Sequence, residues 1–187
     1  MFSSFTRFAI LAGAIGAVAA SSSNPEDNGS CAEVVNQCKL FASQGIFQNE
    51  YCVLASICDA DTDAGTDGLI DQVLPNVQPR PTSEGSQRLS QDVFNKMSNN
   101  SPTLSTQNII DAYYGALTNT YTGTNATNAQ QSGQNGPYPT DAAYVSDLWD
   151  IVAAWTDNCD TAEIPYNNFA DYLQYAAQSD YHPTCDC

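Results

Sequence analysis

Positive charge is what this chain has least of. Five Lys and Arg stand against 21 Asp and Glu, a formal charge of −16 at neutral pH. So few cations cannot neutralise a row of phosphates, which argues against nucleic-acid binding. An anionic membrane surface is disfavoured for the same reason. Histidine is scarcer still: the single one, His182, sits in the tail "SDYHPTCDC" beside Pro183. Ser-His-Asp and Cys-His chemistry needs a positioned imidazole, and in that polar tail His182 reads as a solvated loop residue. One histidine cannot build a His-rich zinc site, and cysteines tied in disulfides do not serve as ligands. Gly-rich phosphate loops, nucleophile elbows and dinucleotide fingerprints are missing as well.

Long apolar runs are confined to the start. The stretch "MFSSFTRFAILAGAIGAVAA" has Arg7 as a positive n-region and an apolar segment from Phe8 to Ala20. Thirteen apolar residues are too few for a bilayer that needs about 20. Small residues at Ala17 and Ala19 fit an A-x-A cleavage rule, so residues 1–20 are expected to be a signal peptide and the protein secreted. No later segment is apolar enough to span. Removing 20 residues from 187 leaves 167, within the usual size of one domain. The remaining cations are Lys39, Arg80, Arg88 and Lys96, four against 21 acids, for a formal charge of −17. Such acidity favours solubility and suits an acidic medium or a basic partner. Three sequons, at Asn28, Asn99 and Asn125, lie in stretches that read as loop and are candidate glycosylation sites.

What is present in quantity is cysteine. Cys31, Cys38, Cys52, Cys58, Cys159, Cys185 and Cys187 make seven. In a secreted chain the default is disulfide pairing. Cys31 and Cys38 lie seven apart on one side of a helix, and Cys52 and Cys58 follow on what reads as a returning helix. A nested pairing, Cys31 with Cys58 outside Cys38 with Cys52, would staple an antiparallel helical hairpin. Its outer loop of about 28 residues would stabilise the fold by several kcal/mol by restricting the unfolded chain. Other pairings stay open at this stage. Cys159 is expected to pair with Cys185 or Cys187, leaving one thiol free, capped or linking two chains as a dimer. The C-x-C spacing of Cys185 and Cys187 has no thioredoxin-like pattern before it and is not read as a redox pair.

Apolar spacing gives an all-α reading. Residues 21–29 are a polar, mobile N-terminus, and a single helical domain covers 30–187. Ser30 with Glu33 makes a capping box for a first helix carrying Val34, Val35, Cys38 and Phe41. Gly45 breaks it, and a second helix runs from about Gln48 to Ala60. "LIDQVLP" gives two turns ended by Pro75, and Pro79 and Pro81 keep the chain extended. Further helices are expected over Glu84–Met97, after Ser105, from Thr140 or Asp141 to Trp155, and from Pro165. In the helix ending at Trp155, Tyr144, Leu148, Ile151, Val152 and Trp155 form the buried stripe, with Trp149 at its margin. Residues 119–138, rich in Asn, Gln, Gly and Thr, form a long polar loop. The sum is a single disulfide-stapled bundle of about five or six helices with an N-terminal helical hairpin.

One short stretch points toward chemistry. Residues 59–71, "DADTDAGTDGLID", place Asp59, Asp61 and Asp63 at the first three ligand positions of an EF-hand loop. Ala64 then stands where glycine belongs, and Ile70 occupies position 12. Omitting Ala64 brings Gly65 to six and Asp71 to twelve, so the stretch resembles an EF-hand or dockerin-type calcium loop with one extra residue. Calcium held by Asp59, Asp61, Asp63, Asp67 and Asp71 is therefore one reading; the other is an acidic turn in which Asp67 caps the next helix. No other cofactor is implied. Paired carboxylates can hydrolyse a glycosidic bond, and Asp160 and Glu163 near Trp155 are the first such pair to consider. With 21 acids some pairing is guaranteed, and Trp149, Trp155 and the tyrosines at helical spacing read as core rather than sugar platforms.

Leader, sparse lysine, abundant Ser, Thr and Asn, and a few disulfides together resemble the small secreted cysteine-containing proteins of filamentous fungi. The resemblance is of general type and carries no functional residues. It implies an extracellular or wall-associated protein acting on a neighbour or host, with an extracellular protein or cell-wall glycan as partner. The expectation is a secreted interaction protein without evident catalytic machinery. The alternatives are a calcium-dependent binding module and a small carboxylate-based hydrolase.

Overall fold

The computed structural model describes residues 29–60, 65–117 and 138–178. Outside them lie residues 1–28, 61–64, 118–137 and 179–187, and with them the sequence readings that rest on residues 1–20, Asn28, Asp61, Asp63, Asn125, His182, Cys185 and Cys187. The described residues are mostly helical, as the apolar periodicity predicts. They form seven α-helices: α1 Gly29–Phe41, α2 Glu50–Cys58, α3 Gly65–Val73, α4 Gln91–Met97, α5 Thr106–Leu117, α6 Tyr138–Trp155 and α7 Tyr166–Tyr175. Two short strands, β1 Thr103–Leu104 and β2 Ile164–Pro165, pair antiparallel with Thr103 opposite Pro165 and Leu104 opposite Ile164. Alternation over two residues leaves no readable signature, so this ladder is not legible in the sequence.

Helix α1 buries Cys31, Val34, Val35 and Cys38 at helical spacing. Ser30 is already helical, so it does not act as the cap its capping-box pattern suggests. Gly45 sits between two 3₁₀ turns at φ +117°, and a Cβ there would come within 2.8 Å of Gln48 Cγ. Only glycine fits. Asn49 then caps α2, its side chain accepting a hydrogen bond from Tyr51 N at 2.9 Å. Helix α2 is buried at every residue from Cys52 to Cys58. A helix covered on all sides belongs to the middle of a core. Disulfides Cys31–Cys58 and Cys38–Cys52 join α1 to α2 in the nested pattern.

The largest departure from the sequence reading falls at 84–97. Helix α4 begins only at Gln91, and residues 74–90 are irregular. Ser, Thr and Gly at 82–86 favour turns over helix. Here Gly85 N donates to Thr82 Oγ1 at 3.1 Å and Ser86 Oγ to Thr82 O at 2.8 Å. Further on, Ser105 caps α5 reciprocally: Asn108 N donates to Ser105 Oγ at 3.3 Å and Ser105 N to Asn108 Oδ1 at 3.0 Å.

One hydrophobic core runs through all seven helices. Trp149, placed at the margin from its spacing, is completely buried, and its Nε1 donates to Ala162 O at 3.0 Å. Its ring packs on Phe169 with centroids 5.5 Å apart, and Trp155 meets Tyr172 edge-on at 5.5 Å. Ile151, expected inside, is 38% exposed. The inward face of α6 is thus rotated toward Val145, Leu148, Trp149 and Val152, because the large indole of Trp149 takes the central place.

Candidate functional site

Three features could carry function: the acidic stretch at 59–71, the turn between α6 and β2, and the distribution of charge. The stretch begins at Asp59, which ends α2 as its C-cap. Asp67 lies in the first turn of α3, and its Oδ1 accepts from Ser83 N at 2.6 Å. Asp71, a turn later, pairs with Arg80 Nε at 2.7 Å. Each of these two carboxylates thus spends an oxygen on the irregular segment that crosses α3. Between them and the undescribed 61–64, Thr66 is fully buried, and its Oγ1 has no hydrogen-bond partner among the described residues. Among the described residues no group of three His, Cys, Asp or Glu is placed to hold a metal.

The same irregular segment is fastened to α7. Ser83 Oγ donates to Gln174 O at 3.0 Å, and Gln174 Nε2 donates to Ser86 O at 3.2 Å. Arg88 is the centre of this strap. Its guanidinium donates to Asp171 Oδ1 at 2.6 Å, Gln174 Oε1 at 3.2 Å and Asn167 O at 3.2 Å, and stands 5.9 Å from the Tyr166 ring centroid. Burial alone would lower the Arg88 pKa, but Asp171 and Tyr166 outweigh it and raise it above its ordinary value. Tyr166 Oη donates to Leu89 O at 2.6 Å and Gln48 Nε2 to Arg88 O at 2.8 Å. Nothing in the hydrophobic periodicity marks this network. The one sequence signal is an arginine followed at long range by an acid.

At the turn after α6, Asp157, Asn158, Cys159, Asp160 and Thr161 line a polar hollow of about 260 Å³. Cys159 is disulfide-bonded, with its partner outside the described residues. Of the carboxylate pair weighed from sequence, Asp160 is exposed in this turn, while Glu163 accepts from Thr103 Oγ1 at 3.4 Å beside the β1–β2 ladder. Trp155 is 7% exposed and packed in the core, so it offers no open face to a sugar there.

A contact the sequence does not reveal sits inside the core. Tyr113 on α5 puts its hydroxyl against both sulfurs of the Cys31–Cys58 disulfide, 2.8 Å from Cys31 Sγ. It ties α5 to the stapled α1–α2 pair.

Charge is distributed unevenly. Arg80, Arg88 and Lys96 pair with Asp71, Asp171 and Glu50. Lys39 reaches Asn36 Oδ1 at 3.4 Å. No Lys or Arg follows Lys96 in the chain. Along the outer side of α6 and the turn beyond it, Asp147, Asp150, Ile151, Asp157, Asp160 and Glu163 are exposed. No helix among the described residues is long and apolar enough to cross a membrane. No family model matches the chain, and neither curated proteins nor solved structures give a match.

Proposed function

We propose that the protein is a secreted, acidic, disulfide-stabilised interaction protein, effector-like or wall-associated, whose partner is cationic. The observation that carries this reading is the fate of the cations. Three of them are spent on acids of the same chain, no Lys or Arg follows Lys96, and acids such as Asp147 and Asp157 lie exposed along α6 and the turn beyond it. A field of one sign attracts oppositely charged partners and speeds their approach. The partner class is then a basic extracellular protein or an amine-bearing wall polysaccharide. The buried disulfides fit an oxidising compartment and a chain that must persist outside the cell.

The test is binding of the mature, oxidised protein to an immobilised amine-bearing glucosamine polymer, with its N-acetylated counterpart as the neutral control. Binding to the amine form alone is expected. It should weaken as salt rises from about 0.1 M to about 1 M, where the screening length falls from about 10 Å to about 3 Å. Replacing Asp147 and Asp150 by Asn should weaken it further. Equal binding to both polymers, or none to either polymer or to a basic protein at low salt, would remove the support for this function.

A further inference from the structure

We propose that Asn99 is an N-glycosylation acceptor, modified during translocation before the turn after α4 closes. This rests on the secretory reading above. Of the three sequons, Asn99-Asn100-Ser101 is the one that falls within the described residues. It follows directly on Ser98, the C-cap of α4.

Asn99 and Asn100 are both exposed, at φ +54° and +60°. Asparagine is among the few residues that enter this left-handed region readily. The backbone N of Asn99 donates to Lys96 O at 3.4 Å, and its side-chain carboxamide makes no hydrogen bond within the described residues. A glycan on Nδ2 therefore displaces nothing that holds the fold. The backbone around it is already closed. Asn100 N donates to Asn95 O at 2.7 Å, Ser101 N to Ser98 O at 3.0 Å, and Ser98 Oγ to Ser101 O at 2.9 Å. A turn locked in this way cannot reshape itself in a transferase, so transfer comes first and folding second.

The step is a substitution. Asn99 Nδ2 bonds to the anomeric carbon of a polyprenyl-diphosphate-linked oligosaccharide, and the bond from that carbon to the diphosphate oxygen breaks. The diphosphate leaves with the electron pair, and the amide proton passes to a base of the transferase. Ser101 supplies the hydroxyl the sequon needs; in the folded chain its Oγ accepts only a long 3.4 Å bond from Thr103 N. Pro102 holds Ser101 extended and limits how the acceptor can bend, so occupancy is partial.

The experiment translates the full chain in the presence of microsomes and isolates the protease-protected, leader-cleaved product. An Asp-specific endoproteinase then releases residues 92–110, which contain Asn99 and no other sequon. Removal of N-glycans in heavy-oxygen water should convert Asn99 to labelled Asp. The signal should vanish in Ser101→Ala, which leaves both left-handed asparagines in place, and rise in Ser101→Thr. A translocated, leader-cleaved chain whose Asn99 peptide is never labelled would overturn the inference and leave secretion standing. Label persisting in Ser101→Ala would overturn it by showing deamidation instead. A chain that is never translocated would overturn secretion and the inference together.

Discussion

Replacing Arg88 by Met keeps much of the side chain's apolar stem and deletes the charge at the centre of the 82–90 strap. The guanidinium makes three hydrogen bonds and one ring contact, to Asp171, Gln174, Asn167 and Tyr166. Hydrogen bonds to a charged group are worth about 1.5–3 kcal/mol each when buried. Here the Arg88 and Asp171 side chains are 38% and 32% exposed, so water screens the pair and replaces part of what is lost. An exposed ion pair contributes about 0–1 kcal/mol and a surface cation–π contact about 0.5–1 kcal/mol. Allowing a similar amount for the Asn167 and Gln174 bonds gives a loss of about 2 kcal/mol. For a domain of this size that is a fall in melting midpoint of roughly 4–8 °C. The assay is urea unfolding at neutral pH with disulfides intact, joined to hydrogen exchange at the Ser83 and Ser90 amides. Those amides donate to Asp67 Oδ1 and Phe47 O respectively. Both should exchange faster in the variant, while α2 amides follow only the global change. A loss below about 0.5 kcal/mol, or unchanged exchange at Ser83, would refute the idea that Arg88 fastens the strap.

Other expectations follow from single contacts. Removing Cys31–Cys58 should cost more than removing Cys38–Cys52, about 3.5 against about 3 kcal/mol on loop length alone, as chemical unfolding of the paired Cys→Ala variants would show. Tyr113→Phe takes a hydroxyl from the Cys31–Cys58 sulfurs and should destabilise by about 1 kcal/mol, read by the same method. Ala162 sits at φ +49°. Glycine there relieves about 1–2 kcal/mol of backbone strain but adds about 0.5–1 of unfolded-chain entropy, so Ala162→Gly should raise the melting midpoint by a few degrees or less. Calcium added after EDTA should leave the melting midpoint unmoved, because Asp67 and Asp71 already hold Ser83 N and Arg80. A shift of several degrees, lost in Asp61→Ala with Asp63→Ala, would assign calcium to this stretch instead.

What the sequence discloses depends on how local the cause is. The all-α class, the break at Gly45 and the Ser105 cap all follow from contacts within a few turns of chain, and the nested Cys31–Cys58 and Cys38–Cys52 pairing is one of several that the cysteine spacing allows. The errors share the opposite character. Residues 84–90 carry apolar Leu89 at helical spacing from Val93, yet beyond the local turn at 82–86 they stay irregular because Ser83, Ser86 and Arg88 find partners on α7 some 83–91 residues later. Trp149 moves from margin to centre because Phe169 and Ala162 O, both from beyond the turn, receive it. Of the candidate site, the acidic stretch is legible as composition, but the use of Asp67 and Asp71 as ties is not. No periodicity in α3 reports what crosses over it.

The same chain has to reconcile two opposed demands. An acidic surface with few cations would, on the proposed function, offer a basic partner a field, but self-repulsion works against the compact state. The fold answers this in two places. Arg80, Arg88 and Lys96 each cancel an acid of another segment, and Arg88 with Asp171 and Lys96 with Glu50 close long loops in doing so. The nested disulfides then carry stability that no change in salt or pH screens. Salt should therefore act in opposite directions on the two properties. It should raise the melting midpoint by relieving repulsion among the acids, and lower the affinity for a cationic partner by screening the same field. A protein whose stability and binding both fell with salt would be held together by its ion pairs instead, and the disulfides would then be secondary.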